Sequence, residues 1–170
     1  TVREKVEIKK IQDLGAAARI KTPTYSINTV ESNPNPSQRD WARVLVRFET
    51  EADWIDELEV RFFVQVHNKK TNEAHRFPGT FTYLDVAKGR QHLVSAFLRP
   101  ATLERYGDIV GIAVEMYVRG ELVAAAANPN NPANWWRGSG AKELPGLLLE
   151  RSQTPFALSA TDAYETVKQK

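Results

Sequence analysis

The chain has no cysteine. That excludes disulfides, thiolate metal ligands and a cysteine nucleophile, and it leaves the compartment open, because disulfide-free secreted proteins are allowed. Methionine is nearly absent: Met116 is the only one, and the chain starts at Thr1. An N-terminal piece removed by the cell or by cloning is therefore expected, a lost signal peptide or membrane anchor being one of the two readings. No apolar run approaches the roughly 18 residues that a membrane-spanning helix needs. An excess of one charge is missing too, since the formal net charge is +2 and bases alternate with acids. Without a basic block to neutralise phosphates, nucleic acid is not an expected partner. The one formal glycosylation match, Asn35-Pro36-Ser37, is blocked by its proline.

What the chain does have is β character, and at 170 residues it is expected to form one domain. The most apolar stretch runs from Asp108 to Val123. Val110, Ile112, Val114, Met116 and Val118 are expected on one side of an extended strand, with Ile109, Gly111, Ala113 and Tyr117 on the other. A β-branched run with two apolar sides reads as a strand covered on both faces. Arg119-Gly120 turns it back into Glu121-Leu122-Val123, with Gly120 taking a positive φ.

Other strands follow from alternation. Residues 3 to 12 set Val6 and Ile8 against lysines, as an edge strand does. An alanine-rich helical turn is expected over 15–19, weak β character over 20–30 and a surface loop over 31–40. Trp41 to Thr50 and Glu57 to His67 read as two strands separated by a charged loop; Val44, Val46, Phe48, Leu58, Val60, Phe62, Val64 and Val66 face inward. Phe63, on the other face, implies that this face is partly covered. His75 to Val86 and Gln91 to Leu98 form another pair, joined at Ala87-Lys88-Gly89. Pro100 and Gly107 frame a short crossing helix. The expected fold is an all-β, immunoglobulin-like two-sheet antiparallel sandwich, with a closed barrel as the competitor. Tyr106, before a central strand, resembles the tyrosine corner of such domains.

Two parts are expected: a sandwich over 1–127, and a loop and C-terminal segment over 128–170 that packs on the same domain or on a neighbouring subunit. Within the segment, Leu147 to Arg151 and Phe156 to Leu158 are short strand candidates. Ser159 or Thr161 caps a terminal helix over 162–168.

Chemistry-bearing residues are sparse. His67 and His75 flank one hairpin and His92 lies on the next strand, but no acid stands at ligand spacing and no HExxH occurs, so no metal is expected. Asp53, Asp56 and Glu57 beside Trp54 read as a charged loop rather than a glycosidase pair. Gly138-Ser139-Gly140 lacks the spacing of a nucleophile elbow. No catalytic residue and no cofactor is assigned. Trp41 and Trp54 are expected to pack over the sandwich ends. Trp135-Trp136-Arg137, in a polar loop, fits intramolecular packing, a protein interface or a glycan-stacking platform. Leu147, Leu148 and Leu149 close a sheet of the same subunit or add a strand to a neighbour's.

The string Trp54-Ile55-Asp56-Glu57-Leu58 running into Phe62-Phe63-Val64, together with Trp135-Trp136-Arg137 and Thr154-Pro155-Phe156-Ala157, resembles a group of exported Verrucomicrobia proteins associated with a type IV pilus-like gene cluster. The resemblance covers most of the chain. It implies an immunoglobulin-like sandwich, export to the periplasm, outer membrane or exterior, and a role in surface or pilus-related assembly. It carries over no active site. The expected function is a non-enzymatic protein that makes contacts, as a homo-oligomer (a trimer among the options) or with other surface proteins. A glycan-binding module built on Trp135 or Trp136 is the alternative.

Overall fold

The computed structural model describes residues 6–12, 19–21, 40–129, 134–138, 141–158 and 166–167. The helical turn expected before Arg19, most of the 20–30 stretch and the 31–39 loop lie outside them. Two strands dominate. β3 spans Asp40–Asn68 and β4 spans Glu73–Leu98, 29 and 26 residues long. They pair antiparallel from Ala42↔Leu98 at one end to Asn68↔Glu73 at the other. The two breaks expected in this region, at the charged loop after Thr50 and at Ala87-Lys88-Gly89, are therefore corners in one continuous ladder. The bend is absorbed by register shifts between Phe48, Thr50 and Trp54 on β3. On β4 it is absorbed by positive φ at Asp85 (+51°) and Gln91 (+67°).

Folding this ribbon over gives each layer two strands. β5 (Asp108–Val118) pairs with β3 beyond the corner, and β6 (Glu121–Asn128) pairs with β5. β1 (Val6–Ile11) and β2 (Arg19–Lys21) pair with β3 before the corner. One layer thus reads β1/β2–β3–β4 and the other β4–β3–β5–β6, the A–B–E and C′–C–F–G order of an immunoglobulin-like sandwich. The all-β sandwich expected from the sequence is the fold of the chain. Its core lies between the layers, where Val44, Val46, Phe48, Val60, Phe62, Val64, Val94, Ile112, Val114 and Met116 are fully buried.

The crossing helix, α1 (Pro100–Tyr106), carries the chain between layers with Pro100 in its first turn and Gly107 as its C-cap. Gly107 has φ +102°, and a Cβ there would lie 2.1 Å from the His67 carbonyl oxygen, so only glycine fits between helix and hairpin tip. Tyr106 is wedged edge-on between His75 (4.8 Å) and Phe77 (5.5 Å).

β5 departs from the expected facing at its start. Gln65 pairs with Gly111 and Val66 with Ile109, so Val110 is an extra residue in a bulge. Ile109 turns inward (2% exposed) and Val110 outward (42%), reversing the sequence-based assignment of these two. The β5–β6 turn has φ +51° at Arg119 and +78° at Gly120, the pair of positive values a type I′ turn requires.

β4 is the edge strand of both layers, and the C-terminal segment runs along its open side. β7 (Lys142–Glu143) pairs parallel with His75–Arg76, Leu149 bridges Phe97, and β8 (Thr166–Val167) pairs with Tyr83–Leu84. These pairings occupy hydrogen-bonding groups that would otherwise invite another strand. The strands expected at Leu147–Arg151 and Phe156–Leu158 are instead a single bridge and 3-10 turns at Arg151–Gln153 and Pro155–Leu158. The terminal helix expected over 162–168 is contradicted at Thr166–Val167, which is strand; its capping residues lie outside the described residues.

Candidate functional site

The three histidines go to three different places. His67 meets Asn72 Oδ1 at 3.0 Å at the hairpin tip, His75 packs on Tyr106, and His92 stacks on Phe48 with ring centroids 5.2 Å apart. Among the described residues no three potential ligands converge on a metal position. Asp53, Asp56 and Glu57 are exposed at the ribbon corner.

The tryptophan pair comes together with residues far from it in sequence. Asn134, in the left-handed region, starts a 3-10 turn over Trp135–Arg137. Trp135 packs on Gly111 of β5, where a Cβ would lie 2.8 Å from its Cη2, and its Nε1 donates to the Pro129 carbonyl at 2.7 Å. Trp136 is 4% exposed and lies edge-on to Trp135 at 5.7 Å. The turn is clamped from below by Arg76, itself 2% exposed, which donates to the carbonyls of Trp135 (3.1 Å) and Gly138 (2.7 Å) and faces Glu143 at 3.4 Å. A buried guanidinium with that many acceptors satisfies carbonyls that a short turn leaves open.

A second clamp holds Arg137. Glu115 on β5 is 3% exposed and accepts from Arg137 Nε (2.9 Å) and Nη2, while the Tyr117 hydroxyl donates to its other oxygen at 3.2 Å. Arg61 lies over the Tyr117 ring at 4.1 Å and pairs with Glu59. The hydrogen bond to Glu115, and then its charge, raises the Arg137 pKa above its ordinary value. Burial raises that of Tyr117, and the Glu115 charge adds to it.

Of the roles left open for these residues, the contacts show packing within the chain. Trp136 is buried within the chain. Trp135 is half-buried on the chain's own sheet, and Arg137 is committed to Glu115. Leu148 (6% exposed) joins the main core, with its Cδ2 2.9 Å from where a Cβ on Gly79 would stand. Leu149 joins Trp41, Phe97 and Phe156 in a second cluster outside the β1/β2–β3–β4 layer; Phe156 stacks on Phe97 at 5.2 Å and meets Trp41 edge-on at 5.8 Å. Leu147 packs half-buried against the core. Trp41 therefore serves a sheet face, not a sandwich end. Trp54, expected to pack, is 64% exposed.

Sequence reasoning missed the receivers: Gly111, Glu115 and Arg76. A signal was present, since Glu115 interrupts an apolar run and Arg76 stands beside Phe77 in an aromatic strand. A charge in a buried strand calls for a partner. At the hairpin-tip end of the sandwich, a cleft of about 520 Å3 is lined by Arg19, His67, Lys70, Leu103 and Asp108 among others; Arg19 is already paired with Asp108 and Asp40.

A protein-family model matches residues 1–170. A crystal structure of a protein from Akkermansia muciniphila has the same fold: the TM-score is 0.81 at 19% identity, covering 99% of this chain and 96% of that one. No curated protein matches the sequence.

Proposed function

This chain belongs to the family whose model spans it from end to end, and from that premise we propose that it is a non-enzymatic, exported β-sandwich that works by making protein–protein contacts. The assembly it serves is at the cell surface or pilus-related, and it enters that assembly as a homo-oligomer or beside other surface proteins. The observation carrying this reading is how the buried charges are used. Arg76, Glu115 and Glu150 are the charged side chains buried among the described residues. Arg76 holds the Trp135–Arg137 turn, Glu115 holds Arg137, and Glu150 caps the turn that follows it. Each fastens the chain to itself, so the interior polar chemistry supports a rigid scaffold rather than a reaction. The surface and pilus-related part rests on the resemblance carried by Trp54–Leu58, Phe62–Val64, Trp135–Arg137 and Thr154–Ala157.

Light scattering across a wide concentration range, combined with capture of partners from a cell-envelope fraction, tests the proposal. An oligomer, or a stoichiometric envelope partner, is the expected result. A monomer at every concentration with no partner captured would remove the reading, and saturable turnover in a broad hydrolase screen would remove its non-enzymatic part.

A further inference from the structure

Trp54 stands apart from every other large apolar side chain described. It is 64% exposed, and the other exposed large hydrophobics, Val110 and Leu122, are aliphatic. Its position is rigid: it pairs with Ala87 in the β3–β4 ladder, and its neighbour Ile55 is 1% exposed and anchored in the core. Among the described residues, no strand partner other than Ala87 lies beside it in the sheet. The cross-strand residue is an alanine, and pairing of β5 with β3 begins only at Glu59. Among the described residues the indole makes no ring contact and no hydrogen bond, and most of its surface is open to solvent.

The surroundings are polar. Glu51, Asp53, Asp56, Glu57 and Lys88, all exposed, flank Trp54 or its partner Ala87. We infer that Trp54 is a carbohydrate-stacking platform that takes the apolar face of a neutral pyranose. The C–H bonds on that face carry partial positive charge and lie against the negative π face of the indole. The sugar's hydroxyls then donate to neighbouring carboxylates and accept from Lys88. Size and composition favour a sugar over a protein. A stable protein interface covers about 800 Å2 on each side around a core depleted in charge. Trp54 offers one ring's worth of apolar area within a charged rim, which matches a single sugar ring.

The full chain is titrated with a panel of soluble neutral oligosaccharides of hexoses and N-acetylhexosamines, followed by calorimetry and by acrylamide quenching of indole fluorescence. The expected result is saturable binding that shields one indole from quencher. Trp54→Ala weakens it by about tenfold or more, Trp54→Phe retains part of it, and neither changes the urea midpoint. The inference fails if no member of the panel binds saturably, or if binding survives Trp54→Ala unchanged. It also fails if Trp54→Ala instead abolishes self-association or capture of an envelope protein while no sugar binds; the indole then belongs to a protein contact.

Discussion

Two regions of this sandwich present tryptophan in polar sequence, with opposite outcomes. The Trp135–Arg137 turn is drawn down onto β5 and β4; the corner at Trp54 is left standing in solvent. Neither the indoles nor their immediate neighbours account for the difference. Sequence-distant receivers do: Gly111 removes a side chain to admit Trp135, Arg76 caps the turn's carbonyls, and Glu115 ties Arg137. The corner has no such receivers among the described residues. An aromatic residue in a charged loop is therefore committed or free according to what lies opposite it in the fold.

The contrast can be broken at the turn, most severely by Trp136→Ala. Removing a buried indole is expected to cost about 3–5 kcal/mol, seen as a fall in the urea midpoint. Arg76→Ala comes next, at about 2–4 kcal/mol, because it leaves two turn carbonyls without their donor. Gly111→Ala should cost about 1–3 kcal/mol by pushing Trp135 off β5, with its emission moving to the red as the ring meets water. Tyr117→Phe removes the hydroxyl that donates to buried Glu115, so its cost is felt at neutral pH and disappears at high pH. The folded-state pKa of Tyr117 is raised, so its contribution is complete below about pH 10, the ordinary value, and is lost as pH rises through the folded-state value. Alkaline unfolding curves of Tyr117→Phe should lack that component. At the corner, Trp54→Ala should leave stability within about 0.5 kcal/mol of the parent. A large loss there would mean that the two regions are alike after all.

The same logic separates what the sequence disclosed from what it concealed. Alternation of Val60, Phe62, Val64 against Arg61 and Gln65 is local, and it located the strands, their inward faces and the sandwich. The ribbon corner has no local code. Its bend is spread over register shifts near Thr50 and positive φ at Asp85 and Gln91, and glutamine is not a residue that announces a left-handed backbone. Val110 and Ile109 exchanged sides because a bulge shifts a period-2 pattern without changing its composition. In the C-terminal segment, pairings of one or two residues and 3-10 turns fall below the length at which periodicity can be read. Leu148 and Phe156 were visible as apolar residues but not as partners of Gly79 and Phe97.

The β3–β4 ladder, which passes from one layer to the other through register shifts at the corner, also bears on how the molecule carries load. One hairpin lends a strand pair to each layer, so the layers are joined by ladder hydrogen bonds around the corner as well as by apolar packing. Tension applied along the ribbon meets many of those bonds in shear at once, whereas tension across the Leu149–Phe97 bridge meets the two hydrogen bonds of one isolated pair. Stretched from its carboxyl end, the chain should surrender the strap beside β4 first and keep its paired body intact, as a fuse yields before the circuit it protects.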